Sequence, residues 1–303
     1  MKDRKVLILT GTSSGIGHAL AHKLTGSPYE VIITAREGSI KKLEEEFRPW
    51  KHCSLYPLDL TCPNSRQSFV KTIKEKYGRI DILVNNAGIS FRSVVEHMSK
   101  EEEELQLETN YFGPMALIRN VLPYMRQQCS GKIINVSSVA GIMAMPTMGS
   151  YSASKFALEG ASEALWYELK PWNISVSLIQ IGFIHSESYK NVYWSKAAEH
   201  ARDHDDEDYH IYYTCMSGFV EKLMKRSLAT PEKIADGILR TVQKEHPPLR
   251  VPLTFDAHLF SWLRRLLPRS LYHWILYRNL PSIHDWERAA QRAMKPSTEN
   301  HTP

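Results

Sequence analysis

The stretch "KVLILTGTSSGIG", Lys5–Gly17, decides the fold. "KVLILT" is a short run of Val, Ile and Leu, the composition of a strand buried on both faces. Gly11, Gly15 and Gly17 follow in the pattern GxxxGxG, and a helical pattern then covers about 15–26. Glycines at such a strand–turn–helix junction permit a tight turn and let the backbone approach a pyrophosphate closely. The helix N-terminus receives the anion. The spacing differs from the GxGxxG dinucleotide fingerprint, but the physics is shared.

The same alternation continues along the chain. "EVIITA" (30–35), "CSLYPL" (53–58), "DILVNN" (81–86), "KIINVS" (132–137) and "SVSLIQ" (175–180) read as buried strands, with a further one near "LRVPLT" (249–254). Helical patterns fall at about 39–47, 64–77, 101–128, 151–170 and 231–244. Strands alternating with helices predict an α/β fold: a Rossmann-like, doubly wound parallel sheet of about seven strands with helices on both faces. Residues 1–254 are read as the dinucleotide-binding and catalytic domain, with 185–230 as an irregular insert that forms a substrate lid. Residues 255–303 are read as an amphipathic helical C-terminal extension and tail.

Composition excludes several classes. Of 303 residues, 43% are hydrophobic and 23% charged, enough apolar material for a large core. The net charge of +5 is scattered, with no basic block for nucleic acid. Cys53, Cys62, Cys129 and Cys215 have neither zinc-site nor disulfide-framework spacing, and a reducing compartment is expected. "EHARDHDDEDYH" (199–210) reads as a solvated charged face, so no metal site is expected. The N-terminal apolar run is too short for a signal peptide, and no run of about 18 apolar residues predicts a spanning helix. The expected location is the cytoplasm.

Gly11, Thr12, Ser13, Ser14, Gly15, Ile16 and Gly17 are the candidate cradle for a dinucleotide. The end of the second strand discriminates between cofactors. An acid there would accept from a ribose 2′-hydroxyl, whereas a basic residue would pair with a 2′-phosphate. This chain reads "ITAREGS", with Arg36 in that region and Glu37 one step into the loop. NADP(H) is therefore expected in preference to NAD(H).

"GSYSASKFALEG" (149–160) sets Tyr151 and Lys155 four residues apart, side by side on a helix. With the glycine turn come Asp59-Leu60 after the third strand, "NNAG" (85–88) ending the fourth, Asn110 in the next helix and Ser138 at the fifth. This ordered set resembles the short-chain dehydrogenase/reductase family in its single-domain branch, over about residues 4–245. The resemblance implies that Asn110, Ser138, Tyr151 and Lys155 form the catalytic tetrad. Ser138 lies thirteen residues before Tyr151, the family's usual separation, and Ser137 is a rival at one residue more. It also implies that Asp59 and Leu60 meet the adenine, and that Asn85, Asn86, Ala87 and Gly88 stabilise the sheet and pass beneath the adenosine ribose. Gly182, Ile184 and Ser186 would complete the cofactor set. Two departures stand out. Ile181-Gly182 replaces the usual Pro-Gly, and Ser186 replaces a threonine while keeping its hydroxyl.

These residue types suit hydride transfer to or from an alcohol or carbonyl. A free phenol has a pKa near 10, and a cation within about 4–6 Å favours the phenolate. Lys155 is the expected source of that field and would also hold the nicotinamide ribose. Ser138 would fix the substrate oxygen. Asn110 would hold a water linking Lys155 to solvent. Met143, Met145 and Met148, between Ser138 and Tyr151, suit a lipophilic alcohol or ketone better than a sugar or hydroxy acid. The resemblance is nearest to hydroxysteroid and retinol dehydrogenases. It also suggests a homodimer or homotetramer. Two other classes remain open: a nucleotide-sugar epimerase or dehydratase, and a dinucleotide-sensing regulator without turnover.

In the extension, Asp256 is the candidate N-cap of a helix carrying Leu259, Phe260, Leu263, Leu266 and Leu267 on one face. Pro268 interrupts, and Leu271, Trp274, Ile275 and Leu276 continue. Residues 257–280 carry four arginines and no acid. The segment is read as a lid or subunit contact, with peripheral membrane contact through 256–280 as the second reading.

Overall fold

A computed structural model of the chain describes residues 4–186 and 192–293. The elements run in the order β1 (Lys5–Thr10), α1 (Gly15–Leu24), β2 (Tyr29–Ala35), α2 (Glu37–Phe47), β3 (Cys53–Pro57), α3 (Pro63–Tyr77), β4 (Ile82–Asn85), β5 (Phe91–Arg92), α4 (Lys100–Leu107) and α5 (Gly113–Gln127). They continue with β6 (Gly131–Val136), α6 (Gly149–Leu169), β7 (Ile174–Gln180), β8 (Tyr193–Trp194), α7 (Lys196–Asp203), α8 (His210–Arg226), α9 (Pro231–Gln243), β9 (Arg250–Pro252), α10 (Phe255–Leu266), α11 (Arg269–Arg278) and α12 (Ile283–Ala293).

Seven strands form one parallel sheet in the order β3-β2-β1-β4-β6-β7-β9. Side chains alternate across it. Leu7 and Leu9 of β1 face α1, α2 and α9, with Leu20, Leu24, Phe47 and Ile238. Val6 and Ile8 face α3, α5 and α6, with Phe69, Ile73, Val121 and Leu158. Covering on both faces explains why the strands read as continuous apolar runs. The chain reverses direction across the sheet between β1 and β4, which opens a crevice beyond their C-terminal ends.

Three regions differ from the sequence reading. The helix expected over 101–128 is broken by a π-helical turn, Glu108–Phe112, between α4 and α5. The insert 185–230 is not irregular: it carries β8, α7 and α8. Tyr213, fully buried in α8, accepts the Val94 N–H on its hydroxyl at 3.1 Å. That long-range anchor leaves no periodic trace in the sequence. Finally, Asp256 is not an N-cap. Thr254 caps α10, its Oγ1 accepting the Ala257 N–H at 3.4 Å, while Asp256 Oδ2 accepts the Phe183 N–H at 2.7 Å.

The C-terminal helices fold back on the body. Phe260 and Leu263 of α10 and Tyr272 and Leu276 of α11, with Leu267 between the helices, pack on Val139 and Met143. Trp286 of α12 stacks on Tyr212 of α8, with ring centroids 4.2 Å apart. Pro268 supplies the N-cap residue of α11, so it begins a helix as well as ending one. Among the described residues, no helix is long and apolar enough to cross a membrane.

The edge strand β9 is held by ions as well as by its ladder. Arg250 donates from Nε to Glu159 Oε2 at 3.0 Å and from Nη2 to Glu163 Oε2 at 2.7 Å, while Gln180 Nε2 donates to Glu159 Oε1 at 3.0 Å. The Glu159 side chain is only 6% exposed, so losing its cation would strand a buried carboxylate. Arg250→Ala is expected to lower unfolding free energy by about 1–3 kcal/mol, read as a fall in the urea midpoint at unchanged m-value.

Candidate active site

A cavity of about 610 Å³ runs along the crevice. Gly11, Ser13, Ser14, Ile16, Gly17, Arg36, Asp59, Leu60, Asn86, Ala87 and Gly88 line one part, and Ser138, Met145, Met148, Tyr151, Lys155, Gly182 and Ile184 another. Arg92, Tyr193, Val220 and Met224 also line it.

At the glycine end the backbone is pulled close. Gly11 has φ +71°, and a Cβ there would lie 2.5 Å from Ala87 Cα. A Cβ on Gly17 would run into the Gly11 carbonyl oxygen and the Asn86 side chain. Thr10 and Asn86 lock this approach. Thr10 Oγ1 accepts the Asn86 and Ala87 N–H groups at 3.0 and 3.1 Å, and Asn86 Nδ2 donates to the Thr10 and Gly11 carbonyls at 3.0 and 2.9 Å. Ser14 precedes α1 in an extended conformation without capping it, and the first turn carries no acid. The positive end of α1 and its free N–H groups therefore remain available to an anion. This cradle and cavity fit a dinucleotide.

Thr12 and Gly15 are not on the wall. Buried Thr12 donates from Oγ1 to the Thr34 carbonyl at 3.1 Å, joining the turn to β2. Asp59 accepts the Thr61 N–H at 2.9 Å and the Thr61 hydroxyl at 2.7 Å, which fixes its carboxylate at the rim. Arg36 holds the N-cap position of α2 and is exposed. Ser186 does not line the cavity.

At the other end, Ser138 opens a 3-10 turn, its Oγ accepting the Ala140 N–H at 3.1 Å, and it lines the cavity together with Tyr151. The rival hydroxyl, Ser137 Oγ, is buried without a partner among the described residues. Burial pushes the Tyr151 phenol above its ordinary value; the nearby Ser138 hydroxyl and the Arg92 charge oppose that rise. Lys155 Nζ donates to the Val136 carbonyl at 2.9 Å and stands 5.9 Å from the centroid of the Tyr151 ring. Burial pushes Lys155 down to about 8, and Glu159, one turn further along α6, opposes it. Arg92 thus adds a second positive charge near the phenol.

The π-helical turn buries Asn110 and turns it toward Gly88. Its Oδ1 accepts the Ile89 N–H at 2.9 Å, and its Nδ2 donates to the Ile89 carbonyl at 2.9 Å and to Ser154 Oγ at 3.0 Å. Ser154 in turn donates to the Tyr151 carbonyl at 2.7 Å. Both amide hydrogens are taken and Asn110 is off the cavity wall, so its side chain positions the loop and α6.

Of the three methionines, Met145 and Met148 reach the wall. Met143 does not: it is buried with Val139 and Tyr272 beneath α10 and α11. The sequence reading missed Arg92, Tyr193, Val220 and Met224. Arg92 stands half-buried between buried Phe91 and buried Ser93, an alternation that only the structure shows. The others come from an insert whose placement is a tertiary matter.

The sequence model of the short chain dehydrogenases matches residues 5–196, the segment holding the glycine turn, Ser138, Tyr151 and Lys155. The chain belongs to the short-chain dehydrogenase family. An uncharacterized oxidoreductase YusZ of Bacillus subtilis is 36% identical over 92% of this chain and 99% of its own length. A 3-ketodihydrosphingosine reductase of Bacteroides thetaiotaomicron is 34% identical over 90% and 96%. Among solved structures, a short-chain dehydrogenase from Streptomyces avermitilis superposes with a TM-score of 0.74, at 28% identity over 96% of this chain and 99% of that one. A metagenomic short-chain oxidoreductase in complex with NADP superposes at 0.63, with 25% identity over 83% and 98%. The chain is thus an oxidoreductase of the short-chain dehydrogenase family.

Burial of Lys155 in this short-chain dehydrogenase couples folding to pH. Below pH 8 both folded and unfolded chains hold the Lys155 proton. Between about 8 and 10.5 the unfolded chain holds it and the folded chain releases it, so stability rises with pH. Relative to Lys155→Met, the cofactor-free protein is expected to gain stability across that window, by up to about 1.4 kcal/mol per pH unit. Paired urea titrations from pH 7 to 11 would read it; a flat difference would contradict the burial of an ionisable amine.

Proposed function

We propose that this chain is an NADP(H)-preferring oxidoreductase that interconverts a lipophilic alcohol and its carbonyl compound, with Tyr151 as general acid and base. The observation that carries this reading is the placement of Ser138 and Tyr151 together on the wall of a cavity that continues, past Lys155 and Gly88, to the glycine cradle. The family and an NADP-bound structural relative support a nicotinamide dinucleotide. Residues 11–17, 86–88 and Asp59 would hold its nucleotide part, and Lys155 its nicotinamide ribose. When bound, the nicotinamide supplies or accepts the hydride.

The chain's own groups manage the oxygen and its proton. Ser138 Oγ and Tyr151 Oη can bind one substrate oxygen together. A phenol raised by burial keeps its proton near neutrality, so Tyr151 is ready to protonate the oxygen of a ketone during reduction. In the reverse direction the cation of Arg92 favours the phenolate that must accept the alcohol proton. Asn110 and Ser154 hold the backbone at Tyr151 and Ile89, so the phenol meets the substrate in a set geometry. Met145, Met148, Val220 and Met224 line an apolar wall suited to a hydrocarbon body. The two C-terminal helices support that wall by packing on the Val139–Met143 turn, which favours their reading as a lid support over a membrane contact.

Preference for the 2′-phosphate rests on Arg36. It stands at the N-terminus of α2, where backbone N–H groups and the guanidinium would share one anion, and β2 ends in Thr34-Ala35 without an acid.

Two measurements test the reading. Tyr151→Phe is expected to retain NADPH binding while lowering kcat at least about 100-fold on a panel of lipophilic ketones followed at the NADPH absorbance. Near wild-type turnover would refute the acid–base role, and nucleotide binding without turnover by the wild type would favour a sensing protein. Arg36→Ala is expected to weaken NADPH binding by about 10-fold or more while changing NADH binding less than about 3-fold. Equal loss for both cofactors would remove the 2′-phosphate contact.

A further inference from the structure

Arg92 is a charged group for which the reaction above has only a partial use. It sits on β5, which pairs in parallel with β8 through Phe91↔Tyr193 and Arg92↔Trp194. Its neighbours in sequence are anchored on the other side. Phe91 is buried with its ring 5.3 Å from that of Tyr193, and buried Ser93 shares a hydrogen bond of 2.8 Å with Ser195 Oγ. Strand alternation therefore directs the intervening Arg92 side chain the opposite way, onto the cavity wall. The backbone there is held firmly: Ser93 N–H donates to the Thr147 carbonyl at 2.8 Å, and Tyr193 N–H donates to the Ser90 carbonyl at 3.0 Å. A bridge between Ser93 and Met148 sets this strand beside the loop that leads into Tyr151.

Burial lowers the proton affinity of the guanidinium, and its one resolved electrostatic neighbour is Tyr151, a neutral phenol at ordinary pH. Among the described residues no carboxylate or carbonyl bonds it. The cavity wall holds one acid, Asp59, whose carboxylate is engaged by Thr61 beside the nucleotide cradle. A half-buried guanidinium that no described residue bonds is poised to take its counter-charge from a ligand in the cavity. The cradle for a diphosphate is elsewhere, at residues 11–17. Arg92 instead shares its surroundings with Tyr151, Met148 and Tyr193, where the substrate would lie.

We infer that Arg92 is the receptor for a carboxylate carried by the substrate, so that the pocket takes an oxo or hydroxy acid with a hydrocarbon body. The planar fork of arginine matches a carboxylate with two parallel hydrogen bonds. Met145, Met148, Val220 and Met224 take the hydrocarbon, and the Ser138–Tyr151 pair takes the reacting oxygen. The apolar wall alone argues against small polar hydroxy acids; the half-buried cation adds one anionic group to an otherwise lipophilic molecule. This assignment of the substrate class rests on the alcohol–carbonyl reading of the same site.

Binding separates the two. Decanoate, decanamide and decylammonium, each below its micellar concentration and at fixed ionic strength, are titrated into the full-length protein with and without NADP+ by calorimetry. Decanoate is expected to bind at least about 10-fold more tightly than decanamide, and decylammonium most weakly. Arg92→Gln is expected to abolish the difference between decanoate and decanamide, Arg92→Lys to keep part of it, and Tyr151→Phe to leave it in place. Equal binding of decanoate and decanamide to the wild type, no saturable decanoate binding, or a preference that survives in Arg92→Gln would each overturn the inference. The wild-type comparison stands even if a variant fails to fold. NADPH oxidation with a ketone panel is followed separately. An anion preference without turnover would leave Arg92 as a carboxylate receptor and remove the hydride-transfer reading instead.

Discussion

Much of this structure depends on one buried ammonium. Lys155 lies inside α6, away from water, and two features make that tolerable: the Val136 carbonyl that accepts its hydrogen bond and the charge of Glu159 one turn along. Glu159 is itself steadied by Arg250 and Gln180, so the chain of interactions runs from the edge strand β9 through α6 to the cavity. Tyr151, Lys155, Glu159 and Glu163 follow at four-residue intervals, which places all of them along one stripe of the helix. A helix with this stripe cannot rotate or slide without breaking several charged contacts. That rigidity is what allows a phenol and an amine to be held near one carbonyl-sized space.

The second constraint is steric. At the point where the sheet reverses, the turn after β1 and the turn after β4 come so close that only glycine fits at positions 11 and 17. Thr10 and Asn86 convert this approach into a closed set of hydrogen bonds, leaving the N-terminus of α1 uncapped and facing the crevice. The same arrangement that joins two halves of the sheet therefore produces the anion cradle. The π-helical turn at Asn110 acts comparably on the other side. It interrupts a helix of ordinary composition in order to aim one amide at Ile89 and Ser154.

Charge is distributed unevenly along the cavity. The acid, Asp59, and the exposed cation, Arg36, lie at its nucleotide end, while Arg92 is withdrawn at the other end among methionines and tyrosines. Exposed charges of the first kind are cheap and mainly steer, whereas a half-buried one on a cavity wall can contact a ligand directly. The asymmetry makes Arg92 a feature that burial alone does not explain.

The sequence by itself determined the layered fold, because apolar runs and glycine turns report burial on both faces and close backbone approach, and both are local properties. The order of "TGTSSGIG", Asn110, Ser138 and Tyr151-x-x-x-Lys155 was legible for the same reason: each motif is short and lies at an element's end. Tertiary structure alone decided which neighbours those residues meet. It sent Met143 under the C-terminal helices while Met145 and Met148 reached the cavity, gave the α10 cap to Thr254 so that Asp256 could hold Phe183, and brought α8 and β8 from the insert to the wall. It also set a second cation, Arg92, near Tyr151, although the two are 59 positions apart in the chain and meet because β5 pairs with β8 and borders Met148. Electrostatic neighbours across such distances leave no periodic mark in a single chain, since they depend on where separate elements are packed rather than on what each one is.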